Sequence, residues 1–194
     1  MNYRHNAASS SFLNDFTRED RLGLYAQDEW QLFEPLTAVT GVRYDMDTFI
    51  NPTVSPRASL IYSPSKDHTF RAGIAVAYRP PTIFETNAQS FGIVSFPGVR
   101  NPFPPPTFFV PPFSITTTLT GTGNLAPEQI ISYDLGYQGW YFKHRVRLRA
   151  DLFFNHISDL IVQRSIPSGR TFSNGREADI YGGRSESNSW LRAG

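Results

Sequence analysis

The side chains best suited to catalysis are few in this sequence and badly spaced for it. Its four histidines, His5, His68, His144 and His156, each lack a second ligand or base at a useful distance along the chain. His156 and Asp159 are three residues apart, which places them on opposite faces of a strand. Asp45 and Asp47 share a face, but a calcium loop of the helix-loop-helix type requires Gly at its sixth position, where Ile50 stands. The absence of Cys removes thiol catalysis, zinc-thiolate sites and disulfide frameworks together. The sequence is therefore read as a non-enzyme with no cofactor and no metal site.

Ligand binding has better support. Between Pro80 and Phe113 lie seven Phe and nine Pro, and only Glu85 and Arg100 are charged. Proline lowers the entropic cost of ordering a loop, and exposed aromatic rings offer a surface to an apolar or aromatic ligand. The segment from 80 to 126 is read as one long extracellular loop forming a lid, with packing of its rings against neighbouring loops as the structural alternative. Arg57, Arg71, Arg79, Asp134, Arg147, Arg149 and Asp151 share the polar side of their strands. They suit either an anionic ligand or an internal ion-pair lattice, and the lattice is the commoner use of such residues. Arg79 at the root of the loop joins Phe103, Phe108 and Phe109 as the candidate ligand-binding residues.

The elements that must position these residues alternate with period two. From Leu36 to Thr48 the even positions carry Leu36, Ala38, Val42, Tyr44 and Met46, while the odd positions include Arg43, Asp45 and Asp47. From Arg145 to Asn155 the even side reads Val146, Leu148, Ala150, Leu152 and Phe154, and the odd side includes Arg145, Arg147, Arg149 and Asp151. A soluble sheet with one wet face also alternates. Length separates the cases, because ordinary strands run to about 5–6 residues and tilted membrane-crossing strands need about 9–11.

Seven strands are expected, over 20–32, 36–49, 55–63, 68–79, 127–141, 145–161 and 176–191. The first also fits one helical face through Leu22, Tyr25, Ala26, Glu29 and Phe33, and Asp28 falls on its apolar side. Short turns at Phe33-Glu34-Pro35, Ser63 to Asp67 and Phe142-Lys143-His144 alternate with an intermediate connection at 50–54 and long ones at 80–126 and 162–175. Outer-membrane barrels place short turns in the periplasm and long loops outside. Trp30, Phe33, Tyr62, Phe70, Trp140, Tyr141 and Phe142 flank the short turns and are read as one interfacial aromatic girdle. Ala7 to Ser11 is read as a flexible loop.

Composition agrees with a membrane barrel. Aromatics make up 14% of the 194 residues, mean hydropathy is −0.33, and no apolar run approaches the roughly 18 residues of a transmembrane helix. Eighteen basic and 17 acidic side chains leave a net charge of +1, so no overall field points to nucleic acid. The only basic concentration, Lys143 to Arg149, alternates along a strand. Asn2 to Ser11 is polar where the apolar core of a signal peptide would stand, so an exported chain of this kind is expected to be a piece of a longer one. Seven strands are likewise too few, and of the wrong parity, to close a bacterial barrel.

Several strings resemble the C-terminal barrel of TonB-dependent outer-membrane receptors: LGLYAQDEW (22–30), GVRYD (41–45), SPRASLIYSP (55–64), TFRAGIAVAYRPPTIFE (69–85), NLAPEQIISYDLGYQGW (124–140) and DLFFNHISDLI (151–161). Their order and spacing carry the resemblance more than any one string. ADIYGGRSES (178–187) is similar to the following strand, with Arg184 where the family usually has an acidic residue, which leaves the register of that strand open. The resemblance implies a barrel of roughly 22 strands plugged by an N-terminal domain. It also implies uptake of scarce nutrients driven by the inner-membrane proton gradient.

The expected fold is thus all-β, an antiparallel transmembrane β-barrel segment of about seven long strands, incomplete, spanning 1–194 as one partial barrel domain. The implied partners are a small-molecule nutrient (a siderophore, cobalamin or oligosaccharide), outer-membrane lipid, and the TonB complex through a plug that this sequence lacks. The implied location is the bacterial outer membrane. The competing reading is a soluble secreted β-sandwich acting as a binding or adhesion module.

Overall fold

The computed structural model describes residues 1–13, 16–96, 99–100, 109–110, 113–167 and 169–189. In chain order its elements are β1 (Asn2–Ala8), β2 (Thr17–Phe33), β3 (Leu36–Asp47), β4 (Thr53–Ser65), β5 (His68–Arg79) and α1 (Ile83–Asn87). There follow β6 (Gln89–Phe96), β7 (Val99–Arg100), β8 (Phe109–Val110), β9 (Phe113–Thr120), β10 (Glu128–Tyr141), β11 (Val146–Ile166) and β12 (Gly169–Ser189). Ten strands form one open sheet in the order β1-β2-β3-β4-β5-β10-β11-β12-β9-β6. Every pairing in it is antiparallel except the two-residue contact of β12 with β9.

The seven expected strands are all present as long strands of 12 to 21 residues. The first is a strand and not a helix, because β1 pairs with Thr17–Gly23 on one side and β3 with Arg21–Phe33 on the other. Three expectations about the connections need correction. Ala7 and Ala8 end strand β1 instead of opening a flexible loop. The connection at 162–175 is a tight hairpin, since β11 runs on to Ile166 and pairs with Gly169. Segment 80–126 is not irregular: it holds α1 and the β6-β9 hairpin, paired from Gln89↔Thr120 to Phe96↔Phe113. Its Thr-rich run Thr116-Thr117-Thr118 and β-branched Ile93, Val94 and Ile115 favour extended backbone, a signal obscured by the flanking prolines.

Cross-strand partners confirm the two faces. Leu36↔Tyr62, Ala38↔Leu60, Leu60↔Ala72, Ala72↔Leu135 and Leu135↔Leu152 form a continuous apolar band across five strands. Most of this band is open: Leu60, Tyr62, Phe70, Ile74, Tyr133, Leu135, Leu148, Leu152 and Phe154 are all exposed. So large an apolar surface on a sheet face marks contact with lipid or another apolar partner. A sandwich needs a second sheet packed there, and among the described residues the only other sheet is the β7-β8 pair of dipeptides.

The short turns fall at one end. At that end Tyr62, Phe70 and Tyr137 form a row on the outer face, with ring centroids 6.3 and 4.9 Å apart. Tyr137 Oη also meets His68 Nδ1 at 2.9 Å, and His68 sits edge-on to Tyr141. Trp140 departs from the expected girdle: it lies opposite Arg147 on the inner face, where the guanidinium stacks over its ring at 5.6 Å. The two-residue period decides this, since Trp140 has the parity of Asp134 and Gln138.

A candidate ligand-binding mouth

On the inner face the polar residues pair with one another. Arg71 contacts Asp134 at 3.1 Å and Asp151 at 3.8 Å, and Arg149 contacts Asp151 at 3.0 Å, joining β5, β10 and β11. Arg147 donates to Gln138 at 2.6 Å, and Arg57 donates to Gln27. The carboxylate of Asp134 lies flat over the neighbouring strand at Gly73, where a Cβ would stand 2.4 Å from its Oδ1. All seven inward-facing residues singled out in the sequence, Arg79 included, therefore have partners within this sheet. Arg184 faces Asp151 across the β11-β12 pair and contacts Glu186 at 3.3 Å, which fixes the register of the last strand.

At the end opposite the short turns, Pro80 and Pro81 stop β5 by removing two ladder donors. Thr82 then caps α1: its hydroxyl accepts from Glu85 N at 3.2 Å, and the Glu85 carboxylate accepts from Thr82 N at 2.7 Å. This reciprocal box satisfies two orphan donors of a one-turn helix too short to persist unaided.

Arg79 secures the helix to the wall. Its guanidinium reaches Glu128 at 2.6 and 2.7 Å and Glu85 at 3.1 and 3.2 Å, so Nε and both terminal nitrogens are engaged. Glu128 also accepts from Ile161 N at 2.8 Å, which ties β11 to the same point. These groups lie beyond the apolar band. Arg79 holds the Glu128 carboxyl below the ordinary glutamate range against the opposing effect of burial. For Glu85, burial acts upward, but the bonds from Arg79 and Thr82 outweigh it and the net shift is also downward.

Above this fork sits a small core of Ala88, Leu125 and Phe172, flanked by Leu119 and Ile161, with Phe84 edge-on to Phe172 at 6.0 Å. Gly121 N donates to Ala88 O at 2.7 Å, an approach so close that a Cβ on Gly121 would stand 2.5 Å from the backbone of Thr86 and Ala88. Asn174 bridges to both Ala126 backbone groups and to Asp159 O. The β1-β2 connection closes over the helix from the other side, where Gln89 N donates to Phe12 O at 2.8 Å.

Beside this core a cavity of about 370 Å³ opens between the upper ends of β1 to β5, lined in part by Arg4, Arg21, Arg43, Asp45 and Asp47. Arg21 contacts Glu19 and, at 2.6 Å, Asp47; Arg43 holds Asp45 at 2.7 Å. Arg4 donates to Asn6 at 3.3 Å and has no carboxylate partner among the described residues.

Sequence reasoning did not select these arginines as a site, because Arg4 lies before the first expected strand. Of the residues it did select, Arg79 is at the root of the mouth, Phe109 lies in the backbone of β8, and Phe103 and Phe108 fall outside the described residues. The histidines acquire acidic neighbours only across strands and turns: His5 with Asp20, His144 with Asp67 and His156 with Asp179, each at 2.7 Å. No group of three metal-binding side chains occurs among the described residues.

Several known proteins share this fold. The siderophore receptor PirA of Pseudomonas aeruginosa matches with a TM-score of 0.70 at 18% identity, over 94% of this chain and 31% of that one. PirA of Acinetobacter baumannii matches with a TM-score of 0.67 at 19% identity, over 90% of this chain and 26% of that one. A mutant ferric enterobactin receptor of Pseudomonas aeruginosa, solved in complex with enterobactin, matches with a TM-score of 0.67 at 17% identity, over 88% and 25%. The ferrienterobactin receptor of Escherichia coli K12 is 24% identical over 79 residues, 41% of this chain and 11% of that receptor. The chain thus spans under a third of these relatives. The family model for the β-barrel of TonB-dependent receptor-like proteins matches residues 2–188, and with the open sheet, its apolar outer face and its charged inner face, the chain belongs to that family.

Proposed function

We propose that this chain forms part of the wall and the extracellular mouth of a transporter that imports a ferric siderophore across the outer membrane, driven by the TonB complex through a plug domain supplied elsewhere. The family lies in the bacterial outer membrane and consists of transport receptors, not enzymes. The observation that carries the ligand class is Arg4, which has no carboxylate partner among the described residues and lines a cavity of the mouth together with the ion-paired Arg21 and Arg43. Guanidinium groups recognise carboxylate, phosphate and other anionic oxygen ligands, and a ferric siderophore of net negative charge presents such oxygens. The structural relatives are named for siderophores, in keeping with this reading.

Phe103, Phe108 and Phe109, which lie in sequence between β6 and β9, supply aromatic contacts to the ligand in this reading. Arg79 serves the same site by holding α1 and the root of that segment in place. No bond is made or broken in this reading, and none of the histidine-aspartate pairs is given a catalytic role.

The experiment is uptake of radiolabelled iron by cells whose only outer-membrane siderophore receptor is the complete protein carrying this segment. A panel of ferric siderophores, with labelled cobalamin alongside, distinguishes the ligand classes. Import of at least one negatively charged ferric siderophore is expected, with loss on changing Arg4, Arg21 and Arg43 to Gln. Import of cobalamin alone, or of siderophores undiminished in the triple variant, would refute the assignment.

A further inference from the structure

The short-turn end of the sheet carries a feature that transport does not use. The β4-β5 and β10-β11 turns are fastened together: Trp140 N donates to Asp67 O at 2.8 Å, and His144 Nε2 meets Asp67 Oδ1 at 2.7 Å. Phe142, Lys143 and His144 all adopt left-handed backbone, at φ of 53°, 57° and 64°. Phe142 is left 76% exposed. Lys66, Lys143 and Arg145 stand on these two turns, exposed, and none has an acidic partner among the described residues. Asp67 is engaged by His144, and the remaining acidic residue of the neighbouring turns is Glu34, where Ser63 N donates to Pro35 O.

Directly above them on the outer face lies a shallow groove of about 420 Å³ lined by Leu36, Leu60, Tyr62, Phe70, Tyr137 and Leu152, among others. Its walls are almost wholly apolar, and the tyrosines border it on the turn side. We propose that the fastened turns and this groove bind one anionic diacyl phospholipid of the periplasmic leaflet. An acyl chain lies in the groove, the headgroup phosphate meets Lys66, Lys143 and Arg145, and Phe142 enters the interface. The proposal rests on the outer-membrane placement of the barrel but on no assignment of its cargo.

Charge complementarity selects the occupant. A zwitterionic lipid fills the groove equally well but gains little from three unpaired cations, whereas each cation near a membrane surface favours an anionic lipid by several-fold. Aromatic side chains at the headgroup level are the usual companions of such a site.

The test is native mass spectrometry of the complete detergent-solubilised receptor, incubated with equal amounts of phosphatidylglycerol and phosphatidylethanolamine of identical acyl chains. The wild-type protein should retain phosphatidylglycerol in preference by about tenfold. The variant Lys66→Gln/Lys143→Gln/Arg145→Gln should retain both lipids about equally. If that variant assembles poorly, the same preference in the wild type should decline as ionic strength rises, because screening weakens exposed charge contacts. Equal retention by the wild type, a preference surviving in the triple variant, or one indifferent to salt would each overturn the proposal.

Discussion

Arg79→Met separates a residue that holds the mouth together from one that touches cargo. Arg79 makes two forked carboxylate contacts, to Glu85 and Glu128, and its loss leaves two negative groups facing each other. Glu128 is almost wholly buried and Glu85 is mostly so. Removing one partner of a buried ion pair costs about 3–5 kcal/mol. Arg79 itself is 39% exposed, so solvent screening lowers the figure, and about 2–3 kcal/mol is the expected local cost. The residual bond from Ile161 N keeps Glu128 in place, so the damage concentrates on α1 and the segment it roots.

Hydrogen exchange reads this directly. The amides of Thr86 and Ala88, which bond within α1, and of Gly121 and Thr122, which bond onto it, should exchange roughly 30–150-fold faster in the variant. Amides of β5 and β10 in the apolar band should not change. Because both carboxyls are shifted downward, the stabilisation is complete above the ordinary glutamate range and is lost as pH falls through it toward the lower folded values. The wild type should therefore show the same loosening in acid, whereas Arg79→Met should tighten there, because protonation relieves the two carboxylates left facing each other. Unchanged exchange together with abolished ligand binding would show instead that Arg79 contacts the ligand.

Three further outcomes follow from the two-faced wall. Leu148→Arg places a charge on the outer face and should cost about 2–4 kcal/mol near the midplane, whereas Arg147→Leu forfeits a bond to Gln138 and stacking on Trp140, about 1–2 kcal/mol, so heat-modifiable mobility after assembly in liposomes should suffer more from the first. Gly73→Ala should displace Asp134 from Arg71 and lower barrel stability by about 1–3 kcal/mol in denaturant titration, with Ala72→Gly serving as an outer-face control. Deleting residues 97–112 should leave assembly intact while abolishing uptake, whereas a deletion reaching Ala88 and Leu119 should also unfold the mouth, as protease sensitivity would reveal.

The wall was legible in the sequence because lipid on one side and charge on the other impose a strict two-residue period over long strands, as from Leu36 to Asp47 and from Val146 to Asn155. The face of the inner lattice was legible for the same reason: parity puts Arg71, Asp134 and Asp151 on one side, and the register of β5, β10 and β11 then brings them together. The mouth was not. Phe172 meets Ala88 and Leu125 only after β12 folds back on β11, and no periodicity along the chain joins residues so far apart. The β6-β9 hairpin was obscured by prolines at its borders, and β1 by a short polar composition that resembles a loop. Arg79 illustrates both limits. Its parity gives its face, but its two acidic partners depend on how Pro80 and Pro81 turn the chain.

The sequence contains no cysteine, so single-cysteine scanning of β10 can test the two-faced wall residue by residue in the complete receptor reconstituted in liposomes. Spin labels at Tyr133→Cys, Leu135→Cys and Tyr137→Cys should collide freely with oxygen, which partitions into lipid, and rarely with a water-soluble nickel chelate. Labels at Asp134→Cys, Gly136→Cys and Gln138→Cys should show reduced oxygen access, alternating with the first set at period two. A uniform profile along 133–138, or one inverted in phase, would contradict the placement of this sheet in the membrane.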